Sequence, residues 1–184
     1  MGKIRGLAAV LAGEHPPEER LMRLLDRVGL RHDSQGPGAR RVALARPGMA
    51  TARSHPQGFL VVSLTAPEID REVALSFLWE ALMRFEGQFG YATTAEVEVG
   101  EVWFDAEVAA PMREERVDQL DRMEHPIRMF SAELLDRLEY PHPWRILRAD
   151  TRGALVATEP AILARWLARL SALEGQPEEA EEEP

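Results

Sequence analysis

The chain contains no cysteine. That absence removes disulfides, thiolate zinc sites, iron–sulfur ligation and cysteine nucleophiles together. Lysine is nearly missing too: Lys3 stands alone among 22 basic residues, the others being arginine. No apolar run approaches the roughly 20 residues that a membrane helix needs. The start, Met1 to Leu7, lacks the longer apolar region and cleavage site of a signal peptide. The expected location is therefore cytoplasmic, with no membrane partner.

Familiar chemical motifs are also missing. There is no serine nucleophile elbow, no glycine-rich phosphate loop ending in Gly-Lys-Ser/Thr, and no dinucleotide-binding GxGxxG sequence. His15, His55, His125 and His142 each precede proline, which favours extended or turn backbone. None of the five histidines stands four residues from another, so a helical zinc pair is excluded. Glu139 and His142 have ExxH spacing, but Pro141 and Pro143 forbid the helix that would make it useful. The sequence thus predicts no cofactor and no metal, and nominates no catalytic residue.

What is present is an uneven charge map. The formal net charge is −9 over 184 residues, which argues against a protein that neutralises nucleic-acid phosphates directly. Residues 1–65 carry a net +5, residues 66–140 a net −11, and residues 141–173 a net +3. The end, Glu174 to Pro184, holds six glutamates and no base, so it reads as a disordered acidic tail. Residues 1–173 read as one domain.

Hydrophobic patterning gives that domain an order. Ile4 to Leu11 reads as a strand and Pro17 to Val28 as a helix, with Pro at its first turn and Leu21, Leu25 and Val28 on one face. Arg41 to Arg46 suits an edge strand and Pro47 to Gln57 a loop. Gly58 to Leu64 is apolar on both faces, as expected of a central strand. Thr65 and Glu68 have capping-box spacing before a long helix reaching about Glu86. From Tyr91 to Val108 the period falls to two. An outer helix from about Met112 to Met123, a strand at Pro126–Phe130, and a helix led by Ser131 follow. Trp144–Ala149 and Ala154–Ala157 read as strands of a hairpin turning at Asp150–Gly153. Thr158 starts a last helix with a stripe of Leu163, Trp166, Leu167, Leu170 and Leu173. The fold class expected is α+β: one domain, an antiparallel or mixed sheet with helices packed on one face. Its first half has the ferredoxin-like order βαββαβ.

The segment from Thr94 to Val108 carries the functional expectation. If Gly100-Glu101 forms a two-residue hairpin turn, Val97, Val99, Val102 and Phe104 share an apolar face. The other face collects Glu96, Glu98, Trp103, Asp105 and Glu107, with Glu101 in the turn. A bulge at Gly100 produces the same partition. Carboxylates placed opposite one another repel by a few tenths of a kcal/mol. Self-repulsion of this kind suits a surface that meets a basic partner, and tryptophan is a frequent interface anchor. The pattern also suits a solvated strand face of an acidic protein.

Several stretches resemble an immunity-protein family of bacterial polymorphic-toxin systems, immunity protein fifty-two. They are the Leu11-Ala12-Gly13 exit into a proline-led helix, Gly58 to Leu64 before a long helix, Phe85-Glu86-Gly87-Gln88-Phe89-Gly90-Tyr91-Ala92-Thr93-Thr94, and Arg152 to Pro160. The resemblance implies an α+β antidote without catalytic activity. Such a protein binds and neutralises a cognate secreted toxin domain, nuclease-like and basic, in competition between bacteria. The partner-binding residues expected on this reading are Glu96, Glu98, Glu101, Trp103, Asp105 and Glu107. The alternatives are a small-molecule-binding or enzymatic α+β domain with a carboxylate-lined cleft, and a subunit that assembles through Trp79, Met83 or Trp144.

Overall fold

Strand β1 (Ile4–Leu11) has apolar residues on both faces because both faces are covered. It is followed by α1 (Pro17–Arg27), β2 (Arg41–Ala43), β3 (Met49–Ser54), β4 (Leu60–Ile69), α2 (Arg71–Arg84) and β5 (Gly87–Thr93). The second half comprises α3 (Ala110–Arg113), α4 (Val117–Asp121), β6 (Ile127–Ser131), α5 (Ala132–Asp136), β7 (Trp144–Asp150) and β8 (Gly153–Thr158). The computed structural model describes residues 2–12, 16–30, 41–44, 48–56, 58–95, 108–113, 116–121, 123, 125–138, 144–158, 161, 164–165 and 168.

Among the described residues, eight strands make one antiparallel sheet in the order β2-β3-β4-β1-β5-β6-β8-β7. With β1 between β4 and β5, the unit β4-α2-β5 is a split βαβ crossover. The domain is α+β, as its element pattern predicts, and β3-β4-β1-β5 reproduces the ferredoxin-like arrangement. To this core the chain adds β2 on one side and β6, β8 and β7 on the other.

Alternation along β1 divides the interior into two cores. Leu7, Ala9 and Leu11 face α1 and α2, where they meet Leu21, Leu24, Phe77, Leu78 and Leu82. Ala8 and Val10 face the opposite side and meet Phe89, Tyr91, Val108, Val117, Leu120, Phe130 and Val156. The two long helices therefore lie on one face, as expected. The short helices α3, α4 and α5 add a second layer, which the polar character of residues 112–123 concealed.

Three local differences from the sequence expectation have physical causes. The stretch Pro47–Gln57 is not all loop: Met49–Ser54 pairs with β4 as β3, and Ala50 and Ala52 are buried under α1. The capping box at Thr65–Glu68 is not used. Strand β4 continues to Ile69, which pairs with Ile4, and the register slip beside it accommodates Pro67, which has no N–H to donate. The helix cap is Asp70, whose carboxylate accepts from the Glu72 N–H at 2.7 Å. Finally, α2 ends at Arg84, and the left-handed position is taken by Glu86 (φ 55°), not by Gly87. Gly87 is needed for close approach instead, since a Cβ there would lie 2.8 Å from the Met129 methyl and 2.9 Å from Ala81 backbone.

Arg20 ties these elements together. Its buried guanidinium donates to the Ala12 carbonyl and, at 2.9 Å, to the Phe85 carbonyl at the C-terminus of α2. Glu86 lies 3.5 Å away. Burial lowers the arginine's pKa, and the Glu86 charge offsets part of that effect.

Candidate functional site

The segment that carries the sequence expectation is delivered by the centre of the sheet. Strand β5 is held between β1 and β6 and ends at the buried Thr93. The Thr93 hydroxyl accepts from the Ala95 N–H at 3.2 Å, a side-chain turn that directs the chain outward. Thr94 and Ala95 are exposed. Glu96, Glu98, Glu101, Trp103, Asp105 and Glu107 lie outside the described residues. At Val108 and Ala109 the chain is again buried, in the second core. The segment therefore begins on the surface and ends anchored.

The same end of the sheet collects a second group of residues. Register places Tyr91 opposite Arg128 and Ala92 opposite Ile127, close to where β6 begins and β5 ends. Arg128 is 0% exposed, flanked in its strand by the buried apolar residues Ile127, Met129 and Phe130. Its Nη1 donates to the Leu120 carbonyl at 3.0 Å. The guanidinium carbon lies 5.5 Å from the Phe130 ring centre and 5.4 Å from that of Trp144, a cation–π arrangement. His125 stacks on Tyr91 with centroids 4.4 Å apart. Burial and the Arg128 charge together push the His125 pKa down to about 4, so its ring is neutral at neutral pH.

His125 lies outside helix and strand, as its place before Pro126 predicts, while Arg128 has no role in the sequence expectation. The signal for Arg128 was present in Ile-Arg-Met-Phe, where one charge interrupts an apolar strand. A charge at such a position is costly to bury unless its surroundings compensate it. Trp144, considered as an assembly contact, packs against the second core. Trp79, likewise considered, is 8% exposed at the rim of the first core, beneath the Arg148 guanidinium at 4.1 Å.

Among the described carboxylates, Glu18 and Glu80 are half-buried, whereas Glu68, Asp70, Glu72, Glu86, Glu133, Asp136 and Asp150 are exposed. The buried polar residues described are Arg20, Ser63, Thr93 and Arg128. Among the described residues, no three His, Asp or Glu side chains come together as metal ligands, and no helix is long and apolar enough to cross a membrane.

No family model, curated protein or solved structure matches this chain. Its chemistry must be argued from its own residues. The described residues offer a platform of paired strands with a core on each face, and the acidic segment follows β5 in sequence.

Proposed function

We propose that the protein is a non-catalytic immunity protein that binds a cognate toxin domain in a stoichiometric complex. The acidic segment between Ala95 and Val108 is its principal contact. The observation that carries this reading is the alternation of acids with apolar residues from Glu96 to Glu107 around one tryptophan. The resemblance to immunity proteins supplies the kind of partner.

Two physical arguments support it. A toxin that cleaves nucleic acid has a basic cleft, because it must hold phosphates; clustered carboxylates complement that cleft and accelerate encounter by steering. Trp103 then serves as the apolar anchor within a charged surround.

The experiment is recovery of the partner on tagged protein from the organism that encodes it, followed by Glu96→Lys, Glu98→Lys and Asp105→Lys in combination. The expected result is a folded variant that no longer retains the partner. Retention undiminished in the folded variant would remove these residues from the mechanism. Release of a bound small molecule, with no protein recovered, would favour the binding-domain alternative.

A further inference from the structure

Among the described residues both edges of the sheet lack a further strand, and the two edges differ. Strand β2 is three residues long, too short to template another chain. Strand β7 is seven residues long, and Arg145, Ile146, Arg148, Ala149 and Asp150 on it are exposed. Ile146 is 61% exposed, an unusual value for a large apolar side chain in a sheet.

Register against β8 assigns these side chains to faces. Arg145 stands opposite Ala157 and, across a register shift between Ile146 and Arg148, Arg148 stands opposite Leu155, a residue of the first core against which Leu147 also packs. Both arginines therefore lie on the α2 side, and the guanidinium of Arg148 over the Trp79 ring agrees. Arg152, in the turn after β7, donates to the Met83 carbonyl of α2. Ile146 stands opposite Val156, a residue of the second core, and so lies on the other face. The one acid of the strand, Asp150, accepts from the Thr151 hydroxyl at 3.0 Å within the hairpin turn. A chain of net charge −9 thus presents a sheet edge with arginines along one side and an exposed isoleucine on the other.

We propose that β7 is a second docking edge, which takes an extended acidic segment of a protein partner as a ninth strand. Outward N–H and C=O groups of β7 supply the main-chain hydrogen bonds. Alternate carboxylates of the partner meet Arg145 and Arg148, and its intervening apolar side chains meet Ile146. Charge selects this occupant over the β7 edge of a second copy, because antiparallel self-pairing would gather the arginines of two copies on one face. The charges that keep β7 from pairing with itself are the ones that admit an acidic strand. This edge is of opposite sign to the acidic segment and is independent of the proposed toxin contact.

The test uses the full chain and a short synthetic peptide alternating Glu and Val, with hydrogen exchange at the β7 amides as readout. The peptide should bind and slow exchange at β7. Arg145→Glu with Arg148→Glu should weaken binding about tenfold or more, the scale of two lost charge contacts followed by reversal. Because Arg148 also packs on Trp79, Arg145→Glu alone keeps the test valid if the double variant is unstable. A peptide with Pro at its centre and one with Lys for Glu should fail. Absence of binding, binding unchanged by Arg145→Glu, or equal binding of the Pro peptide or a DNA oligonucleotide would overturn the proposal. A β7-dependent dimer in sedimentation would overturn it in favour of a second copy.

Discussion

Lowering the pH tests the packing around His125 directly. Its pKa falls from an ordinary 6.5 to about 4, first because the ring is buried against Tyr91 and second because Arg128 carries a like charge nearby. The unfolded chain therefore binds a proton that the folded chain refuses between those two values. Stability contributed by the neutral ring is complete above the unfolded pKa and is lost as pH falls through the folded one. The loss relative to pH 8 is about 2 kcal/mol at pH 5 and about 3 kcal/mol at pH 4. Carboxylates titrate in the lower part of this range, so the contribution is isolated by difference. Denaturant unfolding of the wild type and of His125→Phe, which retains an aromatic ring against Tyr91, should diverge in pH dependence by that amount at pH 5. The histidine proton resonances should show no titration near 6.5 for this residue. A His125 that titrates at an ordinary value, or variants whose pH profiles coincide, would refute the burial argument.

Other expectations concern the joints of the fold. Arg20→Met removes the donor shared by the Ala12 and Phe85 carbonyls, and should cost about 3 kcal/mol in denaturant unfolding, because buried acceptors are left without partners. Asp70→Ala should cost about 1 kcal/mol through loss of the α2 cap, while Thr65→Ala should cost no more than a few tenths; equal losses would restore the rejected capping box. Gly153→Ala should destabilise by roughly 3 kcal/mol or prevent folding. At that position φ is 146° and a Cβ would sit 2.1 Å from the Phe130 carbonyl oxygen. A melting temperature equal to that of the wild type would mean that β6 and β8 are not paired as described.

Much of this architecture was legible where local signals and tertiary packing agree. Pro17, Glu18 and Glu19 announce α1, and Leu21 and Leu25 are buried as their spacing predicts. Leu60 to Leu64 sits inside the sheet beside β1, and the Asp150–Gly153 turn closes the β7–β8 hairpin. The expected stripe of the last helix, Leu163, Trp166, Leu167, Leu170 and Leu173, lies outside the described residues.

Legibility failed where long-range pairing overrode local preference. Strand β3 is hidden because its inward residues, Ala50 and Ala52, are weak strand formers chosen for small size beneath α1. Thr65 to Glu68 has a helix-start signature, yet pairing of Ile69 with Ile4 extends the strand through it. The environment of Arg128 is assembled from β6, α4 and β7, which no window of sequence contains. The acidic residues Glu96 to Glu107 remain the most specific functional signal in the chain, and that signal is one of sequence.

The central claim is that this segment holds a protein partner, and a direct titration tests it. The protein and the toxin domain recovered with it should form a complex of one copy each. Its affinity should fall steeply with salt and collapse in the Glu96→Lys, Glu98→Lys, Asp105→Lys variant. A complex that is indifferent to salt and unchanged by the three substitutions, in a variant with wild-type stability, would contradict the account.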